Sequence, residues 1–198
     1  MSLVEKGAFH GEVLDVGCGT GALAIHLAVS GFATVGLDLS TSAIAVARTA
    51  AQSRGLEHAV FEVADATSFV GFDGRFGTVV DSALFHTIPP SFRHRYQQAI
   101  VRAAAPGASY FVLVFDRAGM PDDVPVAAVT ADELFEVVAA HWEVTDITAA
   151  RIHAATPQSS IDDTSSGGFS QNGDRPSSSV VISSNEPFPA WLLSAHLA

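Results

Sequence analysis

The 198-residue chain has a single cysteine, so no internal disulfide can form, and a lone thiol fits a reducing, cytoplasmic setting. It is also short of positive charge. Ten Lys and Arg stand against 21 Asp and Glu, a formal net charge of −11. No basic run offsets that excess, so a phosphate backbone is repelled and nucleic acid is not an expected partner. Long apolar runs are missing too: stretches such as "YFVLVF" fall far below the ~20 residues that a membrane-spanning helix needs. The opening "MSLVEKGAFHGE" lacks the apolar core of a secretory signal. Charged residues make up 16% and apolar residues 48%, which excludes a disordered chain. The length fits one domain over 1–198, able to bury roughly 70% of the surface its unfolded form exposes.

What is present is a rhythm of short β-rich runs and helix-period segments, which predicts a parallel sheet with crossover helices. Strands are expected at 12–16, 33–39, 59–65, 77–84 and 109–116, the last being the most apolar and therefore placed centrally. A helix follows the first strand and stops at Gly31. Others are expected over 42–54, from Ser91 to the stop at Pro106-Gly107, and after Thr130, where Glu133 completes a capping box. "WEVTDITAARIHA" and "WLLSAHLA" read as the sixth and seventh strands. Residues 156–189, rich in Ser, Gly, Asp, Asn and Pro, break the rhythm and are expected to form a flexible insertion loop. Only about a dozen residues precede the first strand, so a lid ahead of it is expected to be missing.

Gly17-Cys18-Gly19-Thr20-Gly21-Ala22 satisfies G-x-G-x-x-A between a strand and a helix. Asp38 lies about 20 positions on, where such folds hold ribose hydroxyls. The glycines alone leave nicotinamide cofactors, other adenosine-containing ligands and a ligand-free tight turn open. Asp15, two places ahead of Gly17, separates the first two. A carboxylate there repels a pyrophosphate and attracts an ammonium. No Lys or Arg flanks the loop, so a phosphate-cradling P-loop is disfavoured. A ligand with adenosine at one end and an amino acid at the other fits better. The competing reading of Asp15 is a carboxylate bonded to nearby backbone N–H groups.

"VLDVGCGTG", followed by "GLDLS" and "FEVADAT", resembles the class I S-adenosylmethionine-dependent methyltransferases, and the likeness runs through nearly the whole chain. It implies an α/β, Rossmann-like, seven-stranded, mostly parallel sheet with a C-terminal antiparallel hairpin, and S-adenosylmethionine as cofactor, with no metal. By that resemblance Asp15, Gly17, Cys18 and Gly19 meet the methionine end, Asp38 takes the ribose hydroxyls and Leu39 packs on the adenine. Asp65 accepts from the adenine amino group while Ala66 donates a backbone N–H. Taken by itself, Asp65 is better read as a turn residue at a strand end.

Methyl transfer from a sulfonium is an in-line displacement in which a protein mainly aligns the reactants and excludes water. "VVDSALFHTIPP" supplies Asp81, Ser82 and His86 at the carboxyl end of the fourth strand. Asp81 and Ser82 are expected at the cofactor, and His86 is the candidate general base, since its ordinary pKa lies near 6.5. "IPPSF" does not match the Asn/Asp-Pro-Pro-aromatic motif of some amino-group methyltransferases, because Ile88 stands where a polar residue is required and Phe92 is one place late. Together with the acidic charge this leaves a small-molecule acceptor. "RAAAPGASYFVLVFDRAGMP" and "WLLSAHL" are similar to mycobacterial methyltransferases of the benzoquinone or heterocyclic-toxin type. That implies O- or N-methylation of a planar aromatic acceptor, with Phe85, Phe92, Phe115 and Met120 as candidate pocket residues and Asp116 and Arg117 at the rim. The alternatives are a cofactor-binding protein without turnover, its lid missing, and a nicotinamide oxidoreductase, which Asp15 and the terminal hairpin oppose.

Overall fold

The computed structural model describes residues 3–120, 127–153 and 187–198. Seven strands form one sheet: β1 (Val13–Val16), β2 (Thr34–Asp38), β3 (Ala59–Val63), β4 (Phe76–Ser82), β5 (Ala104–Phe115), β6 (Glu143–Ile152) and β7 (Phe188–His196). Four helices connect them: α1 (Ala22–Val29), α2 (Thr41–Ser53), α3 (Pro90–Ala103) and α4 (Ala131–Ala139). The strand order is β3-β2-β1-β4-β5-β7-β6, with β7 antiparallel to both its neighbours. The expected α/β architecture and its antiparallel C-terminal pair are therefore present.

The alternation of side chains along the strands sorts the core into two layers. Leu14, Val16, Val79, Tyr110 and Val112 point to one face, where Tyr96 and Ile100 of α3 and Leu134 and Val138 of α4 cover them. Val13, Val80 and Phe111 point to the other face, under Leu27 of α1, and Phe9 stacks on Phe111 with centroids 5.2 Å apart. Because β1 and β4 are neighbours while their crossovers lie on opposite faces, a crevice opens at their carboxyl ends, the place where open α/β sheets bind ligands.

Several boundaries differ from the sequence-based expectation. β4, not β5, is the middle strand, although β5 is still enclosed between β4 and β7. β5 starts at Ala104, five residues early. Phe76 pairs with Ala104 and Thr78 with Ser109, so Pro106-Gly107 sits in an irregularity of the strand rather than ending a helix. α3 begins one residue early because the two prolines start it, Pro89 at the N-cap and Pro90 at the first helical position, where a missing N–H costs nothing. The Thr130–Glu133 capping box of α4 is as expected. Of the expected insertion loop, 156–186 lies outside the described residues. Its last positions, Phe188 and Pro189, belong to β7.

Candidate active site

Asp15 lies on the α1 side of β1. α1 begins at Gly21, which has no side chain to cap the helix. The Ala24 N–H instead donates to Asp15 Oδ2 at 3.2 Å, so a carboxylate from the strand caps the helix from below. Asp15 is only 1% exposed. Burial pushes its pKa up to about 7, the Ala24 bond lowers it only in part, and the charges of Asp81 and Asp38 add to the rise. The sequence placed Asp15 against a ligand. The structure puts it beneath the loop rather than on its open side, in the backbone-bonding role that was the competing reading.

The loop closes onto β2. The Gly17 and Cys18 N–H groups donate to Leu37 O at 2.7 and 3.0 Å. Gly17 has φ 72°, and a Cβ there would lie 2.7 Å from Leu84 Cβ, so no other residue fits. Gly19 has φ 54° and nothing within 4 Å of a Cβ, which leaves a bare strip of backbone facing open space. Cys18 is a thiol: burial, then Asp15 and Asp38, push its pKa up to about 12.

Asp38 ends β2 and grips two turns at once. Its Oδ2 accepts from Gly19 N and its Oδ1 from Ser40 N, both at 2.8 Å. Each oxygen keeps a second lone pair for another donor. Leu39, next in the chain, is 73% exposed. Across from it Asp65 accepts from the N–H and hydroxyl of Thr67 at 2.8 Å, which hold its pKa below the usual carboxylate range. These residues surround a cleft of about 420 Å³, lined by Gly17, Asp38, Leu39, Asp65 and Ala66 on one side and Leu84, Thr87 and Ile88 on the other. A wider groove of about 820 Å³ flanks the edge strand β3 and α2, but it touches neither the glycine loop nor the end of β4.

At β4 the structure corrects the sequence reading. Asp81 was expected at the cofactor. Its side chain points to the α3 face, 1% exposed, and is bonded there to three donors. Oδ1 accepts from Leu84 N at 2.8 Å and Phe85 N at 3.1 Å, and Oδ2 accepts from Tyr96 Oη at 2.7 Å. Burial pushes its pKa up to about 6 against those three bonds. Behind it a buried polar chain continues: Tyr110 donates to Tyr96 at 3.5 Å, Gln97 to Tyr110 at 3.3 Å and Trp142 to Gln97 at 3.0 Å. Asp81 therefore acts as a clamp on the short 3-10 helix at Phe85–Thr87. Ser82 points to the opposite face and does not line the cofactor-side cleft. Ala83, between them and the clamp, has φ 73°, a left-handed conformation that is rare outside glycine and concentrates at functional sites.

His86 lies in that 3-10 helix, 5% exposed, its ring 5.0 Å from Phe115. Its Nδ1 is buried without a hydrogen-bond partner among the described residues. Burial, then the nearby Arg93 charge, lower its pKa to about 4. The premise of an ordinary value near 6.5 does not hold, and His86 is neutral and only weakly basic at pH 7. Of the expected aromatic pocket residues, Phe85 is wholly in the core and Phe92, 45% exposed, lines the cleft beside Asp38. Phe115 and Met120 belong to a separate cluster with Phe188. At the rim, Asp116 accepts from Ala118 N and Arg117 makes two bonds to Glu133, at 2.8 and 2.7 Å, so both serve the turn after β5. Sequence reasoning missed the 84–89 wall, although "IPP" marked it: those prolines launch α3.

A family model described as a methyltransferase domain matches residues 13–107, which span the loop, Asp38, Asp65 and the β4 end. A 2-heptyl-1-hydroxyquinolin-4(1H)-one methyltransferase of Mycobacteroides abscessus is 45% identical over 99% of this chain and 83% of its own length. The chain belongs to the class I S-adenosylmethionine-dependent methyltransferases. Two solved structures are similar to the chain over nearly its whole length. One, from work on conversion of a disulfide bond into a thioacetal group during echinomycin biosynthesis, is 34% identical with a TM-score of 0.75, covering 98% of this chain and 79% of that one. A methyltransferase from Methanosarcina mazei, at 20% identity and a TM-score of 0.72, covers 100% and 98% and shares the fold. As a methyltransferase of this class the chain uses S-adenosylmethionine. The cleft fits that cofactor by an observation of its own: two carboxylates with lone pairs to spare, an exposed leucine and a bare glycine strip converge on it.

Tyr96→Phe removes the hydroxyl donor from a buried carboxylate and is expected to cost about 1–3 kcal/mol. Asp81 has a raised pKa in the folded chain, so its ionisation lowers stability as pH rises from about 4 through about 6. The variant extends that loss to higher pH. Urea midpoints at fixed m are therefore expected to differ more between wild type and variant at pH 8 than at pH 5. Equal differences at both pH values would remove the ionised Asp81 from the clamp.

Proposed function

We propose that the chain transfers a methyl group from S-adenosylmethionine to an oxygen or nitrogen of a small planar aromatic acceptor, of the hydroxyquinolone, quinol or phenol kind. The observation that carries this is the 45% identity, over almost the whole chain, to an enzyme named for a hydroxyquinolone bearing a heptyl chain. The mainly apolar surroundings of the β4 and β5 ends support an uncharged aromatic ligand. The net charge of −11 weighs against a nucleic-acid acceptor and supports a small molecule. We place the reaction in the cytoplasm, where Cys18 stays reduced.

When bound, S-adenosylmethionine supplies an electrophilic methyl group on a sulfonium. In this reading Asp38 accepts from the ribose hydroxyls through its spare lone pairs. Leu39 covers one face of the adenine. Asp65 accepts from the exocyclic amine and Ala66 donates its N–H. Gly17, Cys18 and Gly19 form the strip along the methionine part, and Asp15 acts on the ammonium from beneath it through a poorly screened field. Asp81 takes part as a positioning residue, since it holds the wall formed by Leu84 and Thr87. For a hydroxyl acceptor, His86 takes the departing proton. With a pKa of about 4 it leaves much of that work to the acidity of the acceptor itself.

The direct test is incubation with S-adenosylmethionine and a panel of hydroxyquinolones, quinols, phenols and N-heterocycles, read as a mass gain of one methyl. No gain on any member by a protein that binds S-adenosylhomocysteine would refute the proposal. Asp38→Ala removes the ribose acceptor and also frees the Gly19 N–H, so calorimetry is expected to find no S-adenosylhomocysteine binding in a folded variant; wild-type affinity would end the ribose role. His86→Ala is expected to lower kcat on hydroxyl acceptors about tenfold or more, with S-adenosylhomocysteine affinity kept within about tenfold, or ~1.4 kcal/mol. Because His86 titrates near 4, the wild-type kcat profile of an acceptor that does not itself ionise between pH 6 and 8 is expected to stay level there; a fall centred near 6.5 would mean that an unperturbed histidine controls the rate.

A further inference from the structure

Beyond the cofactor cleft, the carboxyl ends of β4 and β5 open onto a second cavity, on the α1 side of the sheet, of about 250 Å³. Leu3 and Phe9 of the amino-terminal segment wall one side, Leu27 of α1 another, and Phe111, Leu113 and Leu192 form the floor. Three polar residues border it. The Asp81 carboxylate is turned to the other face and satisfied there. Ser82 and His26 are exposed and so belong to the mouth rather than the depth. The interior thus offers hydrocarbon and no hydrogen-bond partner for a ring carbonyl or nitrogen.

The stretch 81–84 divides the two spaces. Ser82 borders the apolar cavity, Leu84 borders the cofactor cleft, and the left-handed turn at Ala83 carries the chain from one to the other. A molecule seated in the apolar cavity therefore emerges at the partition next to the cleft. The volume lies below the ~300–1,000 Å³ typical of a pocket that takes a whole ligand, which suits one part of a larger molecule.

We propose that this cavity holds a saturated alkyl chain of the acceptor, leaving the planar ring at the mouth beside Ser82. The inference rests on the aromatic-acceptor reading above and adds its specificity: the enzyme selects acceptors by chain length. Each methylene buried in such a lining is worth about 0.8 kcal/mol, which converts to about fourfold in kcat/KM. Aromatic rings without a chain leave the cavity empty and lose that whole factor.

The test uses two homologous series, 2-alkyl-1-hydroxyquinolin-4(1H)-ones and alkylphenols, from methyl to undecyl, with methylated product measured by mass. In the series that is turned over, kcat/KM is expected to climb about fourfold per methylene until the cavity is full and then to level or fall. Leu192→Trp, which puts an indole on the cavity floor, is expected to move the maximum to shorter chains, with S-adenosylhomocysteine affinity measured alongside as evidence of folding. A profile flat in chain length, or a maximum unmoved in a variant that binds S-adenosylhomocysteine, overturns the cavity assignment and leaves the aromatic-acceptor reading standing. No transfer to any ring at any length overturns both.

Discussion

The hydrogen bond from the Ala24 N–H to the buried Asp15 carboxylate is the constraint on which the site depends. The turn exposes bare backbone where its residues are glycines, and the glycine at the N-cap, Gly21, leaves the following helix without a capping oxygen. Asp15 supplies that oxygen from β1. The arrangement places an acid in an environment that pushes its pKa up to about 7, at considerable cost to the ionised form. An isolated buried carboxylate is a poor stabiliser. In the proposed reading, an ammonium on the other side of the loop favours the ionised form that burial penalises.

A second buried acid, Asp81, works on the opposite face of the sheet with the opposite economy of bonds. It accepts three internal donors, all on the face turned away from the glycine loop. Its task is to hold the segment after β4, and the Tyr96–Tyr110–Gln97–Trp142 chain ties that segment to α3, β5 and the start of β6. Such networks are rigid when every member is satisfied. Arg93 adds to the clamp, with its guanidinium 4.9 Å over the Phe85 ring and its Nε donating to Ile88 O. The wall of the cofactor cleft and the partition from the apolar cavity are thus one piece of backbone, fixed from behind.

The glycine spacing, Asp38 at a strand end and the alternation of β-rich and helical runs made the fold legible in the sequence, together with the set Gly17, Asp38, Leu39, Asp65 and Ala66 that shares one cleft. Those signals are local: a turn, a cap or a strand end is written within a few residues. What was not legible depended on facing. Asp81 and Ser82 are adjacent, so in a strand they point to opposite faces, and sequence alone does not say which neighbour meets a helix. The same holds for Phe85 and Phe92, seven residues apart, one in the core and one in the cleft. The ordinary pKa of a histidine holds only in solvent, and burial of His86 against Phe115 removes the solvent. The early start of β5 was hidden because Pro106-Gly107 reads as a helix stop, whereas the strand absorbs it as an irregularity.

In the proposed reading, the loop above Asp15 receives the ammonium of an adenosyl amino acid. Calorimetric titration of S-adenosylhomocysteine, repeated at each pH in buffers of different ionisation enthalpy, counts the protons exchanged on binding. With Asp15 near 7 in the free chain and lowered by the ammonium, binding is expected to release close to one proton at pH 6, tightening as pH rises to about 7 and releasing almost none at pH 8. Asp15→Asn abolishes that release. Tight binding at pH 6 with no proton released by the wild type, or the same release from Asp15→Asn, would contradict the account.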